Sequence, residues 1–284
     1  MIWGSQVIHA TIVFVNYRDY DGLRSVLSQA VPPGLRVVIA DNTEDADRDE
    51  RALAEWEALE GVRVARTDNP GYLGAARAVQ AAGLVDADCD AVIVSNTDIS
   101  IDFVKLVEEL NRHGSPVTSD GVGMIAPALL DSNGSLARRQ QHYLSRPSSA
   151  HFGRLARVFS SYWVAVGYRA LGDIKRRLAR VRQPRPGEQV FAPHGSFMIF
   201  TREYMSRTSG FDFPSFLFCE EIFVGLETAR AGLACIYDPR FQYKHDGHRS
   251  MGRVQSRRVI RYLQESHEWA ARALSDAEAL EGSS

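Results

Sequence analysis

Short apolar runs rich in β-branched residues alternate with helical patterns through the first half of the chain. This order is typical of βαβ units, in which successive strands lie parallel in one sheet and the intervening helices cover its faces. The sequence therefore predicts an α/β fold with a mostly parallel central sheet flanked by helices. The first four strands are expected at Thr11–Val15, Leu35–Ala40, Val62–Ala65 and Ala91–Ser95.

Length and composition limit the class of protein further. The 284 residues, 45% of them hydrophobic, suffice for one large core, so we expect a single domain over 1–284. The formal net charge of −2 gives no overall electrostatic reason to expect nucleic acid as a partner. No stretch approaches the roughly 20 apolar residues that span a bilayer, and the first residues lack the basic region and cleavage site of a signal peptide. With only three widely spaced cysteines and no C-x-x-C pair, we expect a cytoplasmic protein.

Polar residues follow several of the predicted strands at the point where each strand ends. Because the carboxyl ends of parallel strands meet at one edge of an open sheet, where ligands bind, we expect these residues to share one site. The residues in question are Asn16, Tyr17, Asp41, Asn42, Asn96 and Asp98.

The strand-end residues suit a nucleotide bound with a metal ion. Asp41 can accept a hydrogen bond from the N3–H of a pyrimidine, with Asn16 or Tyr17 lining the same pocket. Asp98, together with diphosphate oxygens and water, satisfies the octahedral demands of Mg²⁺ or Mn²⁺, and Asn96 can orient the ribose or a metal-bound water. The same residue types also make ordinary turns and helix caps, with Ser100 as a candidate N-cap for a helix over Asp102–Arg112.

The second half of the chain has a different pattern. Strands are expected at Val122–Ala126, Gly195–Phe200 and Ala234–Tyr237, with a helix over Glu220–Ala231 and a last helical segment from about Arg253 to Leu280.

Two adjacent acids, Glu220 and Glu221, follow the aromatic run 216–218 at the start of a predicted helix. Apolar surroundings and a neighbouring like charge raise the pKa of a carboxyl group toward values useful for a general base. Acids in a first helical turn also simply complement the helix dipole, so the pair alone leaves both interpretations open. His245 and His248, in the loop after the last strand, are candidates for a metal ligand or a diphosphate contact.

The segment 145–187 carries ten Lys/Arg against the single acid Asp173, with aromatic residues between them. This pattern predicts a helical insertion. Three roles remain open for it: a lid over an acceptor, a peripheral contact with an anionic membrane surface at the inner face of the membrane, or a helical hairpin that packs on the core or on a second protomer.

The order of these motifs resembles the family 2 glycosyltransferases of the GT-A fold, particularly the bacterial rhamnosyltransferase-like branch, over about Thr11–Ser250. Two positions depart from the family pattern: Arg77 stands where a second Asn is usual, and Phe223 stands where an acid is often found. The matching motifs are Val15-Asn16-Tyr17, Ile39-Ala40-Asp41-Asn42, Asn69-Pro70-Gly71-Tyr72, Ser95-Asn96-Thr97-Asp98, the strand from Gly195 with its Gly210-Phe211-Asp212 turn, Glu220-Glu221, and the loop His245–Ser250.

The resemblance implies a single GT-A domain with a nucleotide-sugar half over about 1–120, an acceptor half over about 121–252 and a C-terminal helical segment over 253–284. It implies inverting transfer of a sugar from a UDP- or dTDP-sugar, with dTDP-rhamnose among the candidates, to a hydroxyl of a glycan, a lipid-linked or a small-molecule acceptor. The general base would be Glu221, with Glu220 as the alternative, and Asp98 and His245 would hold a divalent cation, Mg²⁺ or Mn²⁺. The expected nucleotide-sugar-binding residues are Asn16, Tyr17, Asp41, Asn42, Asn69, Gly71, Arg77, Asn96 and Gly195.

Two other functions compete with this one. A catalytically silent nucleotide-sugar-binding or scaffold protein would keep the fold, and the departures at Arg77 and Phe223 favour it. A dinucleotide-dependent oxidoreductase would share the βαβ order, but the first strand is followed by Asn16-Tyr17-Arg18-Asp19 and not by a G-x-G-x-x-G turn. The C-terminal helical segment is also a candidate surface for a homodimer.

Overall fold

The computed structural model describes residues 7–86, 88–138, 140–168, 182–245 and 256–282. Within these ranges, nine strands form one mixed sheet. They are β1 (Ala10–Asn16), β2 (Leu35–Asp41), β3 (Val62–Arg66), β4 (Ala91–Asn96), β5 (Ile99–Ser100), β6 (Val122–Leu130), β7 (Gln189–Val190), β8 (Phe197–Thr201) and β9 (Ala234–His245).

One half of the sheet is parallel and the other half is mixed. Strands β3, β2, β1 and β4 are neighbours in that order and run parallel, as the βαβ pattern predicts. Beyond β4 the order continues β8, β6, β9 and β5, and β7 also pairs with β9. Strand β8 runs antiparallel to both β4 and β6, while β9 runs parallel to β6. The α/β class with a central sheet between helices is therefore confirmed, with its parallel pairing concentrated in the first half.

The register of the parallel strands aligns their carboxyl ends. Asn16 of β1 lies opposite Asp41 of β2, and Val15 lies opposite Asn96 of β4. The three polar strand ends that the sequence places together are therefore brought together by the sheet.

Eight helices with defined bounds surround the sheet in the described part of the chain. They are α1 (Tyr20–Val26), α2 (Glu50–Glu57), α3 (Tyr72–Ala81), α4 (Phe103–Asn111), α5 (Ser149–Phe159), α6 (Arg202–Arg207), α7 (Glu220–Arg230) and α8 (Arg257–Glu281). None of the helices in these ranges is both long and apolar enough to cross a membrane.

The sheet buries apolar side chains on both faces, which explains why its central strands read as continuous apolar runs. On one face, Ile12 and Phe14 pack with the helices α1, α2 and α4. On the other face, Val13 packs with α3, α6 and α7, including Leu73 and Tyr204. Each central strand therefore contributes to two cores.

The long helix α8 packs against α5 from the predicted insertion. Phe152 and Leu274 belong to one buried cluster between them, and Phe159 and Leu263 belong to another. The insertion is helical over α5 and over 162–168, and α5 packs on the rest of the domain, while 169–181 lie outside the described residues. The start of the predicted last helix, 253–255, also lies outside them.

The predicted cap of the helix after Asp98 is wrong. Ser100 is part of strand β5, where it pairs with Lys244 of β9. The N-cap of α4 is Asp102, whose carboxylate accepts a hydrogen bond of 3.0 Å from the backbone N–H of Lys105.

The cap assignment predicts the effect of two alanine variants on stability. Asp102→Ala should lower the free energy of unfolding by about 1 kcal/mol, because the variant leaves a helix N–H without its acceptor. Ser100→Ala, at an exposed strand position, should change it by less than about 0.5 kcal/mol. Urea unfolding of both variants measures the difference, and a larger loss for Ser100→Ala would contradict the assignment.

Candidate functional site

A cavity of about 740 Å³ opens at the carboxyl ends of β1, β2 and β4. Its walls come from the loops after these strands, from the segment before β8, from the first turn of α7 and from the first two turns of α8. The lining residues include Tyr17, Asn42, Asn69, Gly71, Tyr72, Asn96, His194, Gly195, Glu220, Glu221, His245, Arg258 and Tyr262.

Asn16 and Asp41 lie beneath this cavity and not on its wall. Both side chains are fully buried. One oxygen of Asp41 accepts hydrogen bonds from the Asn16 amide at 2.7 Å and from the Thr43 hydroxyl at 2.9 Å, and the other accepts from Arg48 Nε at 2.9 Å. The carboxylate therefore holds the strand ends and the following loop together.

Asp19 connects the loop after β1 to the loop after β4. Its backbone N–H donates to the Asn16 side chain at 3.0 Å, and one of its carboxylate oxygens accepts a hydrogen bond of 2.7 Å from the Thr97 hydroxyl. Gly22 is required beside this contact, because a Cβ there would lie 2.3 Å from the Asp19 carboxylate. Hydrogen bonds thus link the polar residues at the strand ends into one layer beneath the cavity, which is called its floor.

The loop before α3 closes one side of the cavity. Asn42 donates a hydrogen bond of 3.2 Å to the carbonyl of Gly71. Gly71 has φ +88°, and a Cβ there would lie 2.0 Å from the carbonyl oxygen of Phe216. Only glycine allows this contact between the loop and the segment before α7.

Asp98 and His245 meet where strand β5 pairs with the end of strand β9. Strand β5 pairs with β9 so that Ile99 lies opposite His245. The Asp98 side chain is buried, and its Oδ1 lies 3.3 Å from Nε2 of His245. The strand β9 extends eight residues beyond the predicted strand, and this extension is what carries His245 to Asp98. The remainder of the predicted His-containing loop, including His248, lies outside the described residues.

Glu220 and Glu221 begin α7 and line the cavity together. Burial raises the pKa of Glu220 to about 8, and the charge of Glu221 adds to this shift. Burial also raises the pKa of Glu221, whose carboxylate accepts a hydrogen bond of 3.1 Å from the backbone N–H of Gly195. Because the two carboxyl groups are adjacent and buried, ionisation of one opposes ionisation of the other, and they titrate as a pair.

Gly195 allows Glu221 to approach the start of β8. A Cβ at this position would lie 2.7 Å from the Glu221 carboxylate oxygen. Strand β8 begins at this edge because it runs antiparallel to β4, and the N–H of Asn96 donates to the carbonyl of Ser196 at 3.0 Å.

The backbone before α7 adopts the left-handed conformation at two consecutive residues without glycine. Phe218 has φ +71° and Cys219 has φ +65°. Such residues carry local strain and cluster at functional sites. Here the two residues turn the chain directly after the aromatic run 216–218, so that Glu220 and Glu221 face the cavity.

The sequence did not identify several residues that line or support the cavity. His194 Nδ1 lies 2.7 Å from the Ser196 hydroxyl, and its ring lies 5.6 Å from that of His245. Burial, followed by the charges of His245 and His142, lowers the pKa of His194 to about 3, so its ring is neutral at pH 7. His194 flanks the predicted Gly195 but precedes an antiparallel strand, so it does not belong to the polar residues that follow parallel strands.

The C-terminal helix α8 also contributes to the cavity, although its sequence predicted only a helical segment and a candidate surface for a homodimer. Arg258 and Tyr262 line the mouth, and the Tyr262 ring lies 4.6 Å from that of Phe216. Their spacing of four residues places both on one helix face.

Arg77 lies away from the cavity. Its side chain is exposed and forms an ion pair with Asp212, and it is not among the residues that line the cavity. The structure therefore places Arg77 on a solvated face of α3, apart from the other residues predicted to bind the nucleotide sugar that line the cavity.

Comparison with known proteins supports the fold. No protein-family model matches the chain, and no curated protein matches it. A crystal structure of GalNAc-T7 with UDP, GalNAc and Mn²⁺ is similar over 84% of this chain and 43% of that chain, with TM-score 0.54 and 12% identity. A crystal structure of S. aureus TarS is similar over 84% of this chain and 36% of that chain, with TM-score 0.49 and 9% identity.

The chain therefore spans less than half of the length of each solved structure. At 12% identity, the first likeness shows the fold alone, and that fold is GT-A. The predicted fold class is confirmed.

The raised pKa of Glu220 predicts a pH dependence of stability. A carboxyl group whose pKa rises on folding stabilises the protein below its unfolded pKa, near 4.5, and this stabilisation is lost as the pH rises toward about 8. The free energy of unfolding of the unmodified protein should therefore fall, relative to Glu220→Gln, between pH 5 and pH 8. Urea unfolding across this range measures it, with the exposed Glu60→Gln as control. An equal pH slope in all three proteins would contradict the prediction.

Proposed function

We propose that this protein is an inverting glycosyltransferase that uses a nucleotide-diphosphate sugar. The observation that carries the proposal is the shared cavity, with a carboxylate pair on α7 at one wall and the Asp98–His245 pair beyond the strand ends. A transferase needs a general base for the acceptor hydroxyl at one side of the sugar and a site for the diphosphate at the other. The GT-A fold of the chain supports this arrangement.

Glu221 is the proposed general base. The Glu221 carboxylate accepts a hydrogen bond from the Gly195 N–H, which favours its ionised form, and burial raises the pKa of the neighbouring Glu220 to about 8. Glu221 would take the proton of the acceptor hydroxyl as that oxygen attacks the anomeric carbon from the face opposite the diphosphate. The bond to the diphosphate oxygen breaks in the same step, which inverts the anomeric carbon.

Asp98 and His245 are the proposed ligands of a divalent cation. Among the described residues no group of three His, Cys, Asp or Glu side chains converges, so a cation here would take its other ligands from the diphosphate and water. A carboxylate and an imidazole within 3.3 Å fit Mn²⁺ or Mg²⁺ bound in this way. When bound, the cation supplies charge stabilisation to the departing diphosphate. The GalNAc-T7 crystal structure holds UDP and Mn²⁺, which supports this choice.

Arg18 and Arg258 are proposed to attract the donor to the mouth of the cavity. Both residues line the cavity, as do Tyr17 and Asn42, and the Arg18 guanidinium is also paired with Glu44. Asn69, Gly71 and Asn96 complete the proposed nucleotide-sugar subsite, and Asn16 and Asp41 hold its floor. The nucleotide would be UDP or dTDP, and dTDP-rhamnose remains among the candidate donors.

The role of Glu221 predicts the kinetics of one conservative variant. Glu221→Gln should lower transfer at least 100-fold, because the amide cannot accept the proton, while donor affinity changes less than about threefold. Release of UDP or dTDP from a panel of nucleotide sugars with Mn²⁺ measures turnover, and thermal protection by the same compounds measures binding.

The matched control is Glu227→Gln on the same helix, since Glu227 does not line the cavity and its carboxylate accepts from Ser209. This variant should keep full turnover. Loss of donor affinity with retained turnover in Glu221→Gln would refute the base assignment, and protection by NAD instead of UDP or dTDP would refute the proposed function.

We also propose a peripheral contact with an anionic membrane surface, which would present a lipid-linked acceptor. Trp163 is 77% exposed on the helical stretch 162–168, next to Val164 at 53%. The Trp163 ring lies 5.2 Å from that of Tyr162, over which Arg257 lies at 5.8 Å. Exposed aromatic and basic side chains together favour the interface of a bilayer with acidic lipid, and Arg258 follows at the cavity mouth.

Vesicle co-sedimentation tests this contact. Binding to vesicles with 30% phosphatidylglycerol should exceed binding to pure phosphatidylcholine and should fall about tenfold in Trp163→Ala and at 0.5 M salt. Val104→Ala, at an exposed apolar position on α4, serves as control and should bind like the unmodified protein. Binding without any dependence on salt or acidic lipid would refute the contact.

A further inference from the structure

His194 lies just before strand β8, where it is partly exposed and lines the cavity. Each of the two nitrogen atoms of its imidazole ring can make a hydrogen bond. Nδ1 is engaged within the protein, since it lies 2.7 Å from the Ser196 hydroxyl and 3.3 Å from the Tyr243 hydroxyl. Nε2 makes no hydrogen bond to the described residues, yet it is not shielded from solvent. One hydrogen-bonding atom of the ring is therefore available to a molecule in the cavity.

The contacts of His194 place it between the two parts of the proposed site. The N–H of the next residue, Gly195, donates a hydrogen bond of 3.1 Å to the Glu221 carboxylate. The His194 ring itself lies 5.6 Å from the ring of His245, whose Nε2 lies 3.3 Å from Asp98. His194 therefore borders both the proposed base and the proposed cation ligands.

The position of the His194 ring is fixed before any ligand binds. Its backbone N–H donates a hydrogen bond of 3.0 Å to Nδ1 of His142. The buried Tyr243, whose hydroxyl contacts Nδ1 of His194, stacks on Phe197 with ring centroids 5.1 Å apart. Because both the backbone and the ring are held, a hydrogen bond from Nε2 to a ligand costs little conformational entropy.

The chemistry of Nε2 favours a hydroxyl as its partner. Among the described residues, no three His, Cys, Asp or Glu side chains are arranged to hold a metal ion, so His194 does not join Asp98 and His245 as a third cation ligand. A hydroxyl can donate or accept a hydrogen bond, and it therefore matches Nε2 in either tautomer of the neutral ring. A sugar carries several such groups.

We propose that Nε2 of His194 makes a hydrogen bond to a hydroxyl of the transferred sugar and thereby determines which nucleotide sugar is accepted. The inference rests on the proposed function, in which the sugar lies between the diphosphate beside Asp98 and the base Glu221. A bound sugar without this hydroxyl would cover Nε2 and leave it without a partner, which is the basis of strong discrimination between substrates. A nucleoside diphosphate lacks the transferred sugar, and it therefore lacks the contact.

The test compares two variants that each retain one half of the ring's hydrogen bonding. The amide of His194→Asn can replace Nδ1 toward Ser196 but does not extend to the position of Nε2, whereas the longer side chain of His194→Gln does. Affinities are measured by calorimetry with Mn²⁺ for UDP, dTDP, UDP-glucose, UDP-N-acetylglucosamine and dTDP-rhamnose. The control is His113→Asn, an exposed position that does not line the cavity, and its affinities should be unchanged.

His194→Asn should bind the preferred nucleotide sugar about tenfold more weakly and nucleoside diphosphates within about twofold of the unmodified protein. His194→Gln should restore the affinity for the nucleotide sugar to within about threefold. Retained binding of the nucleoside diphosphate also shows that the variants are folded.

Four outcomes would overturn the inference. They are no loss in His194→Asn, equal losses for the nucleoside diphosphate and its sugar, a loss in His194→Gln as large as in His194→Asn, and a higher Mn²⁺ requirement for nucleoside diphosphate binding, which would make His194 a cation ligand. If the unmodified protein bound neither nucleotides nor nucleotide sugars, the proposed function would fail first and the inference with it.

Discussion

The site depends on the reversed strand β8, which lies antiparallel between β4 and β6. In a purely parallel sheet, only carboxyl ends would meet at the ligand edge. Because β8 runs the other way, its amino end arrives at that edge, and the carbonyl of Ser196 accepts from the Asn96 N–H. Gly195 then stands beside Glu221, and His194 stands beside His245. The reversed direction of β8 thus brings residues from the parallel part and the mixed part of the sheet to one cavity.

The floor beneath this cavity is held by buried polar contacts. Asp41 and Asp19 are both buried, and each joins two segments that are distant in sequence. Buried carboxylates are stable only when donors satisfy them, and here amide, hydroxyl, guanidinium and backbone donors do so. The loops above therefore start from fixed points, which explains how residues from so many elements line one cavity in a defined order.

The sequence predicted the parallel half well, because there each strand and helix is encoded by local periodicity and the strand ends carry polar residues. It also placed Glu220 and Glu221 correctly at the start of a helix. It could not show that Asp41 is turned under the floor, since a strand-end Asp looks the same whether it faces protein or ligand. Nor could it place Arg258 and Tyr262, because the return of α8 to the cavity rests on its packing against α5, a contact between residues more than 100 positions apart.

The same cavity also gathers the features that are least favourable for folding. The left-handed residues Phe218 and Cys219 are adjacent to a carboxyl group whose pKa burial raises to about 8, and the Tyr72 hydroxyl, which is buried without a hydrogen-bond partner among the described residues, lies in the same region. Left-handed backbone at residues other than glycine, burial of a carboxyl group and a buried hydroxyl without a partner each lower the stability of the folded chain. These features lie at one edge of the sheet, whereas Ile12 and Val13 pack in the buried clusters on its two faces. The packing of the sheet therefore offsets the unfavourable free energy of holding a preorganised polar site at that edge.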